Sequence, residues 1–334
     1  MLHPRAYKAS VVWTLILLYL GSVVHATESS LACPDWPTCF GTMVPEMTGG
    51  VFWEHLHRLV AGGLLLLWGL ATWLVYREVG GGSHLFRASL AGVALLLVQS
   101  AFGGLTVIYR LPDLVSTTHL GLALAFLALA SALASTTGRR GPEGAASGPG
   151  PGSGHSSASA SGEGAAADFS RGFARTSGRG VEDVRPWAIA AAALVFGQSV
   201  LGGLVRHMDA GMACPDAPLC LGQVVPPLVN PPIVAHFLHR VLAMIVVLAV
   251  CALAYRVHRS GAERILRRWT LAAATLVVMQ VALGFASVLT VLAVLPVSLH
   301  TLVAASLLGV LVHVATMAQP ARTRRTLLEP TPAG

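Results

Sequence analysis

The chain has 334 residues, 54% of them hydrophobic and only 11% charged, with a net charge of +7 and a mean hydropathy of +0.68. That balance excludes a soluble domain of this length and indicates an integral membrane protein. The basic pI near 9.6 is accounted for below by topology, so it implies no nucleic-acid partner.

In chain order, apolar runs of about 20 residues predict membrane spans over 9–26, 53–76, 88–109, 113–137, 186–206, 233–256, 269–290 and 297–318. The first follows Arg5 and Lys8 as a secretory leader would. Its LGSVV at 20–24 has a counterpart, LGGLV at 201–205, inside a later span, so it is expected to stay in the protein. Residues 138–184 are dominated by Gly, Ser, Ala and Arg, with hardly a large apolar side chain to bury, and predict a flexible linker. The expected organisation is an N-terminal half over 1–137, the linker over 138–184, a C-terminal half over 185–320 and a tail over 321–334.

Arginine and lysine placement predicts orientation. With the N-terminus, the loops near 77–87 and 256–268, the linker with its flanks and the tail on one side, that side holds 18 of the 22 Lys and Arg. The exceptions are Arg58, Arg110, Arg206 and Arg240. By the positive-inside rule this side is cytoplasmic, placing both termini there in a plasma-membrane protein. The loops ACPDWPTC (32–39) and ACPDAPLC (213–220) then face the exterior or periplasm, where disulfides persist.

Those loops belong to an internal repeat. Cys33 and Cys39 recur as Cys214 and Cys220 at an offset of 181, HLHR (55–58) as FLHR (237–240) at 182, and Gln99 and His119 as Gln280 and His300 at 181. The expected fold is therefore all-α, eight transmembrane helices arranged as two duplicated four-helix bundles. An even number of spans per unit gives both copies the same orientation, which disfavours inverted-repeat transporter architectures.

Among the 13 histidines, His57, His119, His239 and His300 lie inside spans at repeated positions. An isolated intramembrane histidine can be a packing residue bonded to a backbone carbonyl, whereas two duplicated pairs read as functional. His57 and His119 both enter from the outer side, and at 1.5 Å per residue both lie roughly 6 to 10 Å below the boundary. His239 and His300 repeat this, so each bundle core offers two facing imidazoles. Two histidines are too few for a zinc site, and a di-iron carboxylate site needs several glutamates. A haem needs only axial ligands from the protein, so two halves imply two haem sites.

The copies differ at one informative place. WEHLHR (53–58) puts Glu54 one turn before His57 on the same face, where the second copy has His236. Such a carboxyl can exchange protons or stabilise developing positive charge, or simply favour the first turn of its helix. His55 is expected at an interface. Arg58 and Arg240 follow the ligands and suit either haem propionates or snorkelling to the boundary. In each loop the five residues between the cysteines permit a bridge, worth about 2 kcal/mol by chain entropy, either as a structural staple or as a redox element. Cys251 reads as a small core residue.

Taken together, the paired CPDxPxC loops, ExxHR at the start of span two and a histidine near the start of span four, repeated over nearly the whole chain outside the linker, resemble the haem A synthase family in its cysteine-bearing bacterial type. The resemblance implies an oxidoreductase that converts the ring methyl of haem O into the formyl group of haem A by successive hydroxylation and loss of water. It implies that His57 and His119 bracket the reacting haem with Glu54 as the catalytic carboxyl, and that His239 and His300 hold a haem b. The implied partners are a haem O synthase as substrate donor, cytochrome oxidase assembly as product acceptor, the lipid membrane and an electron donor that the residues do not identify. Arg206 maps onto His25, a departure between the copies. Trp36, replaced by Ala217 in the second loop, suggests that the first loop covers the reacting haem. Two other classes stay open on the residues alone: a di-haem b electron-transfer protein and a haem transporter or chaperone.

Overall fold

Prolines open three of the helices. Pro4 lies in the first turn of α1 (His3–Ala26), Pro186 in that of α5 (Arg185–His207), and Pro231 and Pro232 in that of α6 (Pro231–Arg259). There a missing N–H costs nothing, because it would have no intrahelical partner. Ser83 caps α3 (His84–Ile108), its hydroxyl accepting the Phe86 N–H at 3.2 Å. The remaining helices are α2 (Gly49–Glu78), α4 (Asp113–Thr137), α7 (Arg264–Leu289) and α8 (Val294–Met317). The computed structural model of the chain describes residues 1–138 and 184–319. Among the described residues, eight helices are long and apolar enough to cross a membrane.

All eight expected spans are helices, and several overrun the apolar runs. α1 begins at residue 3 rather than 9, and α7 at 264 rather than 269. The added turns carry Arg, Lys and His, which hydropathy rejects but the headgroup region solvates. α2, with 30 residues, is about 45 Å long at 1.5 Å per residue and exceeds a hydrocarbon core of roughly 30 Å. The expected linker lies outside the described residues apart from Gly138 and Val184, and the expected tail over 321–334 lies wholly outside them.

Each half closes into a ring of four helices. α1 packs on α2, α2 on α3, α3 on α4 and α4 on α1; α5, α6, α7 and α8 close in the same order. The rings meet where α8 lies against α1 and α4, and α4 against α5. Apolar residues cross this seam in one cluster, with Leu18, Leu124 and Leu127 joined to Ala188, Val250 and Leu308. Polar pairs stitch it as well: Ser22 with Thr301 at 3.1 Å, Thr117 with His207 at 2.9 Å and Ser135 with His313 at 2.6 Å. Inside lipid, such hydrogen bonds and close packing hold helices together, since burying apolar surface gains little there.

One expectation is overturned. Cys251 is exposed on α6 instead of buried in a core. A span is apolar on its lipid face and its core face alike, so hydropathy does not separate the two.

Four-residue connections, each with two central residues of positive φ, join α3 to α4 and α7 to α8. Arg110 and Leu111 have φ of 57° and 62°, and Val291 and Leu292 have 52° and 62°. These turns set the starting points of α4 and α8, the helices that carry His119 and His300.

Candidate functional site

The two cysteine loops share one local design. Cys33 is bonded to Cys39, and Cys214 to Cys220. The backbones of Cys39 and Thr42 exchange hydrogen bonds of 3.0 and 3.2 Å, and those of Cys220 and Gln223 do so at 2.9 and 3.1 Å. Each pair encloses a tight turn with two residues of positive φ, Phe40 (54°) with Gly41 (72°) and Leu221 (55°) with Gly222 (73°). That conformation is the one a two-residue hairpin requires, and glycine supplies it at the second position without strain. The aspartate of each CPD motif caps the turn. Asp35 accepts the N–H groups of Phe40 (2.6 Å) and Gly41 (2.8 Å) and the Thr38 hydroxyl, and Asp216 accepts those of Leu221 and Gly222, both at 2.7 Å. The Thr38 hydroxyl and the N–H groups of Gly41 and Phe40 hold the Asp35 carboxyl below its usual range, and those of Gly222 and Leu221 do the same for Asp216.

An arginine from the neighbouring helix clasps each loop. Arg58 donates to the carbonyls of Asp35 (2.8 Å) and Thr38 (2.6 Å), and Arg240 to those of Asp216 (2.9 Å), Leu219 (2.5 Å) and Cys214 (2.6 Å). Here the halves diverge. In the first, Glu54 completes the clasp: it is 4% exposed, takes Arg58 at 2.5 Å and accepts the Cys33 N–H at 2.8 Å. In the second, His236 is 5% exposed and its Nδ1 instead donates to the Ala210 carbonyl at 2.9 Å.

Beneath the loops the structure brings the expected histidines together in pairs, His57 with His119 and His239 with His300, each pair within electrostatic reach. All four rings are part-buried. Each lies with its Cε1 edge over a glycine of another helix, so that a Cβ there would sit 3.0 Å from His57 (Gly21), 3.0 Å from His119 (Gly103), 2.8 Å from His239 (Gly202) and 3.2 Å from His300 (Gly284). The Nδ1 of His119 donates to the Gln99 carbonyl at 3.0 Å. His300 faces the matching carbonyl of Gln280, with its Nδ1 outside hydrogen-bonding geometry. The Gln198 side-chain amide donates to the His239 carbonyl at 2.9 Å and touches its ring, where Leu17 stands at the matching position of the first half.

This donor set fits a haem in each half. Among the described residues no three His, Cys, Asp or Glu side chains gather as a metal site, so each pair suits a group that brings its own equatorial ligands. His57 and His300 carry inaccessible Nδ1 atoms without a partner.

Several residues in the site were not singled out from the sequence. The four glycines are one set; their signal is a constant offset of 181 between Gly21 and Gly202 and between Gly103 and Gly284. Another is the pair His25 and His207, in the last turns of α1 and α5, whose rings meet across the seam with centroids 5.1 Å apart. Arg206, which replaces His25 in the second copy, reaches back across the same seam to the His25 carbonyl at 3.0 Å and to Glu28 at 3.3 Å. Trp36, which the sequence did single out, has its indole in a notch at Gly104, where a Cβ would be 2.9 Å away, beside the glycine that seats His119. The matching second-half positions hold Ala217 and Phe285, with the aromatic ring on the helix rather than the loop. His55 is 3% exposed, with an unpaired Nδ1, and Phe237 stands at its counterpart.

Similarity to known proteins follows the same extent. A protein named heme A synthase from Symbiobacterium thermophilum is 29% identical over 315 residues, covering 93% of this chain and 94% of its own length. Two others of that name, from Halalkalibacterium halodurans and Rhodospirillum centenum, are 26% and 27% identical and cover 90% and 96% of this chain, with 91% of each relative's length covered. A family model described as cytochrome oxidase assembly protein matches residues 6–312. With two rings of four helices, each bearing a histidine pair below a disulfide loop, and a match across nearly its full length, the chain belongs to the cytochrome oxidase assembly protein family.

Proposed function

We propose that this chain is a membrane oxidoreductase that oxidises a ring methyl of haem O to the formyl group of haem A, for assembly into cytochrome oxidase. The observation that carries the reading is a difference between the two halves: among the described residues the first has a buried carboxyl, Glu54, joined to its disulfide loop, where the second has His236. A pure electron carrier or a haem transporter would use that carboxyl only to complete the clasp on the loop. The names of the relatives favour the same activity.

In this reading residues 1–137 and 185–320 are duplicated haem-binding halves in the same orientation, with cytoplasmic termini and linker and with the cysteine loops outside. The distribution of Lys and Arg supports that sidedness. His57 and His119 would bracket the substrate, and His239 and His300 would hold haem b. When bound, haem b supplies one-electron redox chemistry. Glu54, one turn from His57 on the same face, exchanges protons released as the methyl is oxidised and stabilises positive charge developing beside it. Arg58 and Asp35 hold the loop, and Trp36 covers the reacting side from above Gly104. Haem O would come from a haem O synthase, and haem A would pass to cytochrome oxidase assembly. Arg58 and Arg240 remain candidates for propionate contacts, through guanidinium N–H groups other than those given to the loop carbonyls and to Glu54.

The test is co-expression with a source of haem O followed by extraction of pigments. Haem A in the extract is expected; haem O and haem B alone would favour the carrier readings.

A further inference from the structure

The four histidine rings share an orientation as well as a glycine neighbour. For His57, His119 and His239 the three ring atoms approach the Cβ position of the facing glycine in one order, Cε1, then Nδ1 (3.4 to 3.6 Å), then Nε2 (3.7 to 3.9 Å); for His300 Cε1 and Nδ1 approach at 3.2 and 3.7 Å. All four therefore present the Cε1 corner to the neighbouring helix, with Nδ1 the nearer of the two ring nitrogens. The seats alternate with the ligands along the chain: Gly21 on α1 faces α2, Gly103 on α3 faces α4, and Gly202 on α5 and Gly284 on α7 repeat this with α6 and α8.

A helix explains why the seat must be glycine. Cβ atoms lean towards the N-terminus, over the carbonyl four residues earlier. Without a Cβ at 103, the ring of His119 comes in beside the helix and its Nδ1–H reaches the Gln99 carbonyl, four residues before, at 3.0 Å. The carbonyls four before Gly202 and Gly284 belong to Gln198 and Gln280, whose backbones face His239 and His300. A histidine that gives its Nδ1 proton to a carbonyl keeps the lone pair on Nε2 for a metal, in a fixed direction and with raised basicity.

We infer that Gly21, Gly103, Gly202 and Gly284 are positioning residues for the four histidines, each leaving the room in which the ring lies against the neighbouring helix and so setting the direction in which it would meet a haem, with the Gln99 carbonyl also holding the Nδ1 proton of His119 at Gly103. The inference rests on the reading of the four histidines as axial ligands. A methyl at 202 meets His239 at 2.8 Å and must displace the ring, while one at 284 meets His300 at 3.2 Å and shifts it by a few tenths of an ångström.

The experiment titrates the full-length protein with haemin and records affinity, the low-spin electron paramagnetic resonance signal and the midpoint potential. Gly202→Ala is expected to weaken one of the two sites by about 10- to 100-fold, the usual effect of losing a partner that orients a ligating histidine, and to move its g values. Gly284→Ala is expected to do the same to a smaller degree, and it carries the test alone if Gly202→Ala does not fold. Gly197→Ala, on the same helix as Gly202 with nothing within 4 Å of its Cβ position, is expected to change neither affinity nor spectrum. Unaltered affinity and g values in folded Gly202→Ala or Gly284→Ala protein would overturn the inference. No low-spin signal from the unmodified protein would instead overturn the axial-ligand reading beneath it.

Discussion

Glu54 and Cys33 are joined directly, the Cys33 N–H donating to Glu54 Oε2 at 2.8 Å while Glu54 Oε1 takes Arg58 at 2.5 Å. Since Arg58 also holds the Asp35 and Thr38 carbonyls, the carboxyl, the guanidinium and the disulfide loop form one hydrogen-bonded unit. Arg240 alone makes the corresponding clasp in the second half, taking the Cys214 carbonyl as well. A change in the first loop thus bears on the proposed catalytic carboxyl, and a change in the second has no such target.

Arg58→Lys tests that unit. One ammonium does not match a planar fork that serves two carbonyls and a carboxylate. Haem A formation is expected to fall about tenfold, equivalent to roughly 1.4 kcal/mol, with the second-half haem spectrum unchanged; pigment extraction and spectra measure both. Product at the unmodified level would show that the clasp does not serve the reaction.

Arg240→Ala removes three hydrogen bonds to loop carbonyls. A bond from a charged donor contributes about 1.5–3 kcal/mol when well buried. These are partly exposed, so a total destabilisation of about 1–3 kcal/mol is expected, seen as a lower melting temperature and faster proteolysis within 213–223. Neither change would mean that the disulfide holds the loop without help.

Cysteine alkylation counts the bridges. The chain has five cysteines, four of them bonded and Cys251 free and exposed. Denatured protein prepared without reductant is expected to take one maleimide, and after reduction five. A count of three or five without reductant would remove one or both bridges.

Asp35 should titrate low. Its carboxyl is held below the usual carboxylate value of about 3.9, so the turn it caps is favoured above that pH and loses the contribution as pH falls through the lowered value. Carbon-13 carboxyl shifts should place the Asp35 midpoint below that of a free aspartate, and Asp35→Asn should weaken amide protection at Phe40 and Gly41. A midpoint at or above about 3.9 would deny the capping role.

Hydropathy made the spans legible because a bilayer demands a length of apolar helix, and the repeat made the histidine pairs and cysteine loops stand out. Orientation around each helix was harder to read. Arg58 follows His57 directly, but successive residues are turned by about 100° around a helix, and its guanidinium reaches the loop, as its spacing of four from Glu54 would allow. Cys251 went the other way for the same reason, since lipid and core both accept it. Gly21, Gly103, Gly202 and Gly284 gave no local signal of their own, because a span contains glycine for ordinary packing too; only the ring lying over each one distinguishes it.

The most direct measurement compares pigments and haem spectra of membranes carrying the unmodified protein or Glu54→Ala, each with a source of haem O. The account predicts haem A from the unmodified protein, and from Glu54→Ala accumulated haem O with the low-spin signal of the His239 and His300 site retained. Absence of haem A from the unmodified protein, or an undiminished yield from Glu54→Ala, would contradict it.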